Sequence, residues 1–137
     1  MNAADWIELA LDIGGRVDVQ WGLFVTVHMA ILGAIVYMDQ PLHLIEKIVA
    51  FVVYTGFSLV NLTQMQAQLA LLDATYADIH QLALTENATH IVKRMSGEYL
   101  AGRHQISLYT VYFSHSFMLL LVGLSLIFDQ ALTRKLK

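Results

Sequence analysis

Three stretches of the chain, residues 19–38, 48–72 and 105–128, contain no Asp, Glu, Lys or Arg; the charged residues gather between and outside them. A hydrocarbon layer about 30 Å thick is crossed by about 20 helical residues, and each stretch reaches that length. None has the strict apolar–polar alternation of a membrane β-strand, so helix is the spanning form the pattern predicts. Pro41 is the only proline. Its missing N–H is harmless in a first helical turn, which extends the second element back to 42. The expected fold is an all-α integral membrane protein with three transmembrane helices, at 19–38, 42–72 and 105–128.

The flanking segments keep helical periodicity. Within 3–13, Trp6, Leu9, Ala10 and Ile13 recur on one side, with Asp5, Glu8 and Asp12 on the other. This predicts an N-terminal amphipathic helix lying in the membrane interface. Gly14 and Gly15 then predict a sharp turn into the first span. Past 72, Tyr76, Ile79 and Leu82 hold the i, i+3, i+4 spacing, and Ile91, Val92, Met95 and Tyr99 resume it beyond the cap-type residues at 85–87. Extensions of the second and third helices are thus expected to form an extramembrane helical hairpin over 73–101. A basic tail follows at 129–137, and the whole of 1–137 reads as one membrane domain.

Composition sharpens this picture. Hydrophobic residues make up 57% and charged residues 14% of the 137 positions, against about a quarter charged in soluble domains. A soluble chain this short has too little interior to bury so much apolar surface, whereas lipid accepts it. The net charge of −3 is spread rather than blocked, which excludes the basic face a nucleic-acid partner needs. Cysteine is absent, so disulfides, thiolate metal sites and cysteine nucleophiles are excluded. Counted over whole loops the basic residues of the two sides tie; nearest the spans, Lys47 and the Arg134, Lys135 and Lys137 tail outweigh Arg16 and Arg103, so the C-terminus is expected in the cytoplasm and the hairpin outside.

The second span carries the densest polarity. Lys47, Tyr54, Ser58, Asn61 and Gln68 share one face of a 3.6-residue helix, with Gln64 at its edge. Polar groups at membrane depth require partners or water, so this face lines a pore or closes a polar seam between helices. In the first span Gly22, Thr26, Ala30 and Gly33 form a small-residue ridge that admits a close neighbour. His28 and His115 fall at similar depth in the first and third spans. Two neutral imidazoles on facing helices could ligate haem b, hydrogen-bond a quinone, or simply pack. His80 and His90 approach across the hairpin turn, a weak divalent-metal candidate.

No hydrolase, phosphate-loop or metalloprotease motif accompanies these residues, so a non-enzymatic role is expected. The leading expectation is a homo-oligomeric membrane assembly, as a channel lined by the polar face of the second helix. The alternatives are a redox membrane-anchor subunit binding haem b or quinone through His28 and His115, and a membrane scaffold docking a partner protein through the hairpin.

Overall fold

The computed structural model describes residues 3–38, 40–85, 88–100 and 103–128. The described residues form four helices: α1 (Ala3–Tyr37), α2 (Leu44–Ala83), α3 (His90–Leu100) and α4 (Arg103–Ile127). No strand occurs among the described residues. Three helices are long and apolar enough to cross a membrane: α1, α2 and the Leu108–Ile127 part of α4.

The element boundaries follow from local chemistry. Residues 41–43 are not helical, and α2 begins at Leu44 rather than at 42. His43 is its cap. The His43 carbonyl accepts the Lys47 N–H at 3.0 Å, and the Glu46 carboxylate reaches back to the His43 N–H at 2.8 Å. This is the second half of a capping box, with the acid in the first turn where the helix dipole favours it. The other end of α2 tightens into i→i+3 bonds from Leu84 and Thr85, and the Thr85 hydroxyl donates to the Leu82 carbonyl at 2.7 Å. Thr89 caps α3 through its hydroxyl, which accepts the Val92 N–H at 3.4 Å. The expected turn at 85–87 is described only at Thr85; residues 86 and 87, the 101–102 joint and the 129–137 tail lie outside the described residues.

The N-terminal segment differs from expectation. The chain does not turn at Gly14 and Gly15: α1 is one helix from Ala3 to Tyr37. The reason lies in the stripe Ala10, Ile13 and Val17, all buried and spaced i, i+3, i+7 across the glycine pair. Keeping that stripe in phase requires helix on both sides, and two helical glycines cost only about 1 kcal/mol each relative to alanine. A Cβ built at Gly14 meets nothing within 4 Å. Gly14→Ala is therefore expected to raise stability by about 0.5–1 kcal/mol in a denaturant titration; a loss would mean that the pair bends.

The chain divides into two compact units: Met1–Gln20 with Thr63–Val111, and Trp21–Leu62 with Tyr112–Lys137. The first unit has an apolar centre of Ala10, Ile79 and Val92, packed round by Trp6, Tyr76 and Met95. Here the end of α2, the α3 helix and the start of α1 bury one another's apolar stripes. Asp5, Glu8, Asp12, Asp18, Asp78, Lys93 and Arg94 stay on its outside. That is the ordinary distribution for contact with water.

In the second unit the distribution is reversed. Its buried residues include His28, Tyr54, Ser58, Asn61 and His115, while Met29, Val53, Leu59, Phe113 and Leu120 are exposed. A smaller apolar cluster of Ile35, Tyr54, Val122 and Leu126 packs beside the polar groups. Even outward-facing hydroxyls are satisfied internally: Thr26 donates to the Gly22 carbonyl at 2.8 Å and Thr55 to the Phe51 carbonyl at 2.7 Å. Such back-bonding removes the need for water at those positions.

Candidate functional site

The polar face of α2 meets two histidines of the same chain within the second unit. Tyr54, Ser58 and Asn61 lie at i, i+4 and i+7, so one face carries all three, and all are buried. From α1, His28 sits completely inside, one helical turn past Phe24. Its Nδ1 lies 2.5 Å from the Phe24 carbonyl and its Nε2 2.5 Å from the Tyr54 hydroxyl. A carbonyl only accepts, so Nδ1 carries the proton, and the neutral ring's Nε2 accepts from the tyrosine. On α4, His115 places Nε2 at 2.9 Å from Asn61 Oδ1, the imidazole donating to the amide. Each contact joins a different helix to α2.

Phe24 ties the two halves together. Its ring centroid is 3.9 Å from that of His28 and 4.3 Å from that of His115, and Trp21 packs edge-on against Phe24 at 5.5 Å. The two imidazoles both pack against this one aromatic ring.

That packing decides the haem question. Axial ligation needs a free nitrogen lone pair on each ring directed at one iron with the porphyrin between. Both His28 nitrogens are engaged, the His115 Nε2 donates to Asn61, and Phe24 packs against both rings. The residues present do not fit a haem. They fit a seam between helices in which neutral donors and acceptors satisfy one another. Such seams matter because an unsatisfied polar group in an apolar medium costs about 1–3 kcal/mol or more.

The other polar residues of α2 divide between the units. Lys47 is half-buried in an apolar groove with Leu44, Phe51 and Leu126. In the first unit Gln64 is exposed and its amide oxygen accepts from Gln20 Nε2 at 2.9 Å. Gln68 is half-buried, and its Oε1, itself buried, has no hydrogen-bond partner. Of the six residues singled out along this face, Tyr54, Ser58 and Asn61 come together; Lys47 and the glutamines do not join them.

His80 is held by Ser96, whose hydroxyl lies 2.6 Å from Nδ1, and its ring faces Tyr99 at 6.0 Å. His90 is exposed at the start of α3. Among the described residues no group of three or more His, Cys, Asp or Glu side chains is placed to hold a metal. Phe24, Gln20 and Ser96 were not anticipated. Phe24 stands one turn before His28 and Ser96 two turns into α3, positions whose partners only the packing reveals. Compared with family models, with curated proteins and with solved structures, the chain matches none.

Proposed function

We propose that this chain is a non-enzymatic, multi-pass membrane subunit: α1, α2 and α4 cross a bilayer, a neutral histidine–tyrosine–asparagine seam locks them together, and copies associate through α1. The observation that carries this is the inverted polarity of the second unit, with imidazoles, hydroxyls and an amide inside and large apolar side chains outside. In water that arrangement forfeits the hydrophobic driving force; in lipid it is the stable one.

Association is supported by the small-residue ridge. Gly22, Thr26 and Ala30 are exposed, and Gly33 is half-buried. A Cβ at Gly22 or Gly33 meets nothing within 4 Å. Among the described residues, the ridge is left open at Gly22, Thr26 and Ala30, and a small-residue ridge is what permits close helix–helix approach in lipid. Since Tyr54 and Asn61 bond the chain's own histidines and Ser58 is buried on the same face, the assembly we propose is structural rather than conductive. The charged surface of the first unit suits contact with water or with a partner protein at 73–101. We place the C-terminal end on the cytoplasmic side, following Lys47 and the basic tail.

The test has two stages. Alkaline extraction of membranes is expected to leave the protein in the pellet, and sizing in nanodiscs to give a multiple of the 15.4 kDa protomer. Gly22→Leu with Gly33→Leu is expected to shift that size to one protomer while the protein stays in the pellet. A monomeric wild type would discard the association, and release by alkali the membrane reading itself. Solute flux through liposomes that Asn61→Leu alters would favour a channel instead.

A further inference from the structure

In the second unit α2 and α4 frame a groove of about 450 Å³, lined by Leu44, Lys47, Phe51 and Val52 of one helix and Gly123 and Leu126 of the other. That volume is within the range of small-ligand sites. From Leu44 to Val52 a helix rises about 12 Å, close to the half of a 30 Å hydrocarbon layer that one leaflet supplies. Gly123 brings the α4 backbone against α2: a Cβ built there would lie 3.4 Å from Phe51 Cε2. Among the described residues that line the groove, Lys47 is the only charged one. It is half-buried, and it is the last charged residue before the uncharged run 48–72. In the membrane reading it therefore stands at the headgroup level, with apolar walls leading inward from it. Glu46, its neighbour in sequence, answers the His43 N–H and lines a separate groove.

An apolar slot one leaflet deep, with a single cation at its head, is complementary to a lipid of net negative charge. We infer that this groove seats an acyl chain of an anionic phospholipid whose phosphate pairs with the Lys47 ammonium. The lysine stem packs along the apolar wall while its ammonium reaches the headgroup layer, as long cationic side chains near the ends of spanning helices do. An ammonium has three N–H donors, so a phosphate oxygen takes one of them beside partners within the chain. A zwitterionic lipid offers the same phosphate but brings its own cation, which offsets the attraction. The cytoplasmic leaflet is the one that carries anionic lipid, and it is the side on which our orientation places Lys47.

This inference rests on the membrane reading, and the experiment separates the two. The full chain in detergent is delipidated, supplied with equimolar phosphatidylglycerol and phosphatidylcholine of identical acyl chains, and analysed by native mass spectrometry. The wild type is expected to retain the anionic lipid about fivefold over the zwitterionic one, the worth of one lysine at an anionic membrane surface. Lys47→Gln is expected to bring that ratio to about one, and Lys47→Arg to keep it. Val52→Trp, at an exposed position on the groove wall, is expected to lower retention of both lipids while leaving the helical circular dichroism spectrum unchanged. Equal retention of the two lipids by the wild type would overturn the assignment, and a preference that survives Lys47→Gln would overturn Lys47 as its source. Unchanged retention in Val52→Trp would remove the groove as the seat; if that variant also falls to one protomer in nanodiscs, a second copy is the occupant instead. A protein that resists alkaline extraction but does not discriminate the lipids refutes the groove alone; one that alkali releases refutes the membrane reading first.

Discussion

Arginine at position 59 is expected to reduce membrane integration by more than a hundredfold, while arginine at position 84 leaves it unchanged. Leu59 and Leu84 are both exposed, at 56% and 68%, and in water either substitution would fall within about 0.5 kcal/mol of neutral. Their surroundings differ. Leu59 lies midway along the uncharged run 48–72 on the outside of the second unit; Leu84 follows the end of α2 beside the charged surface of the first. A guanidinium at the centre of a spanning helix costs about 2.5–3.5 kcal/mol on insertion scales, and the lost leucine adds a few tenths more. At Leu84 the new cation would follow a helix C-terminus, where the dipole favours it slightly. Reconstitution yield into liposomes, normalised to expression, measures the contrast. Equal behaviour of the two variants would mean that the apolar exterior of the second unit faces water, and the membrane reading would fail.

Why that exterior could be read from sequence is plain: length and absence of charge are one-dimensional properties. The runs 19–38, 48–72 and 105–128 predicted helices; α2 contains its run whole, and α1 and α4 contain all but the last residue of theirs. Periodicity likewise placed Tyr54, Ser58 and Asn61 on one face. Where that face points is a three-dimensional property. A polar stripe suits an axial path or a seam equally well, and it is the contacts from His28 and His115 that favour the seam we propose. Those partners stand 26 and 54 residues away along the chain, so their register depends on how whole helices pack, which no local pattern encodes. The same holds for His80, whose partner is Ser96 and whose expected pairing with His90 rested on a turn register.

The glycine pair teaches a different lesson. Gly14 and Gly15 permit a turn, but permission is not instruction, and the continuous apolar stripe through Ala10, Ile13 and Val17 outweighs two glycine penalties. His43, one turn before Lys47, contributes as a backbone cap answered by Glu46, so α2 starts at Leu44 and not directly after Pro41. Both cases show local propensity yielding to a constraint one or two turns away.

The seam itself is tested by a double-mutant cycle on Asn61 and His115. Asn61→Leu removes the acceptor of the buried His115 Nε2–H, an expected loss of about 1–3 kcal/mol in reversible unfolding from mixed micelles. His115→Leu removes the donor to Asn61 Oδ1 and also the ring packed at a tilt on Phe24 at 4.3 Å, so its cost falls at the upper end of that range. With both replaced, no donor or acceptor of the pair remains, and apolar packing takes over at that level of the helices. The double variant is therefore expected to cost less than the two single losses combined, with a coupling of about 1 kcal/mol; interhelical hydrogen bonds in lipid average about 0.6 and reach about 1.7. Tyr54→Phe gives the parallel result for His28, which loses the hydroxyl donor to its Nε2. Strict additivity of Asn61→Leu and His115→Leu would show that the contact contributes nothing to holding α4 on α2. The polar face of α2 would then need another explanation, with water along it as the first to examine.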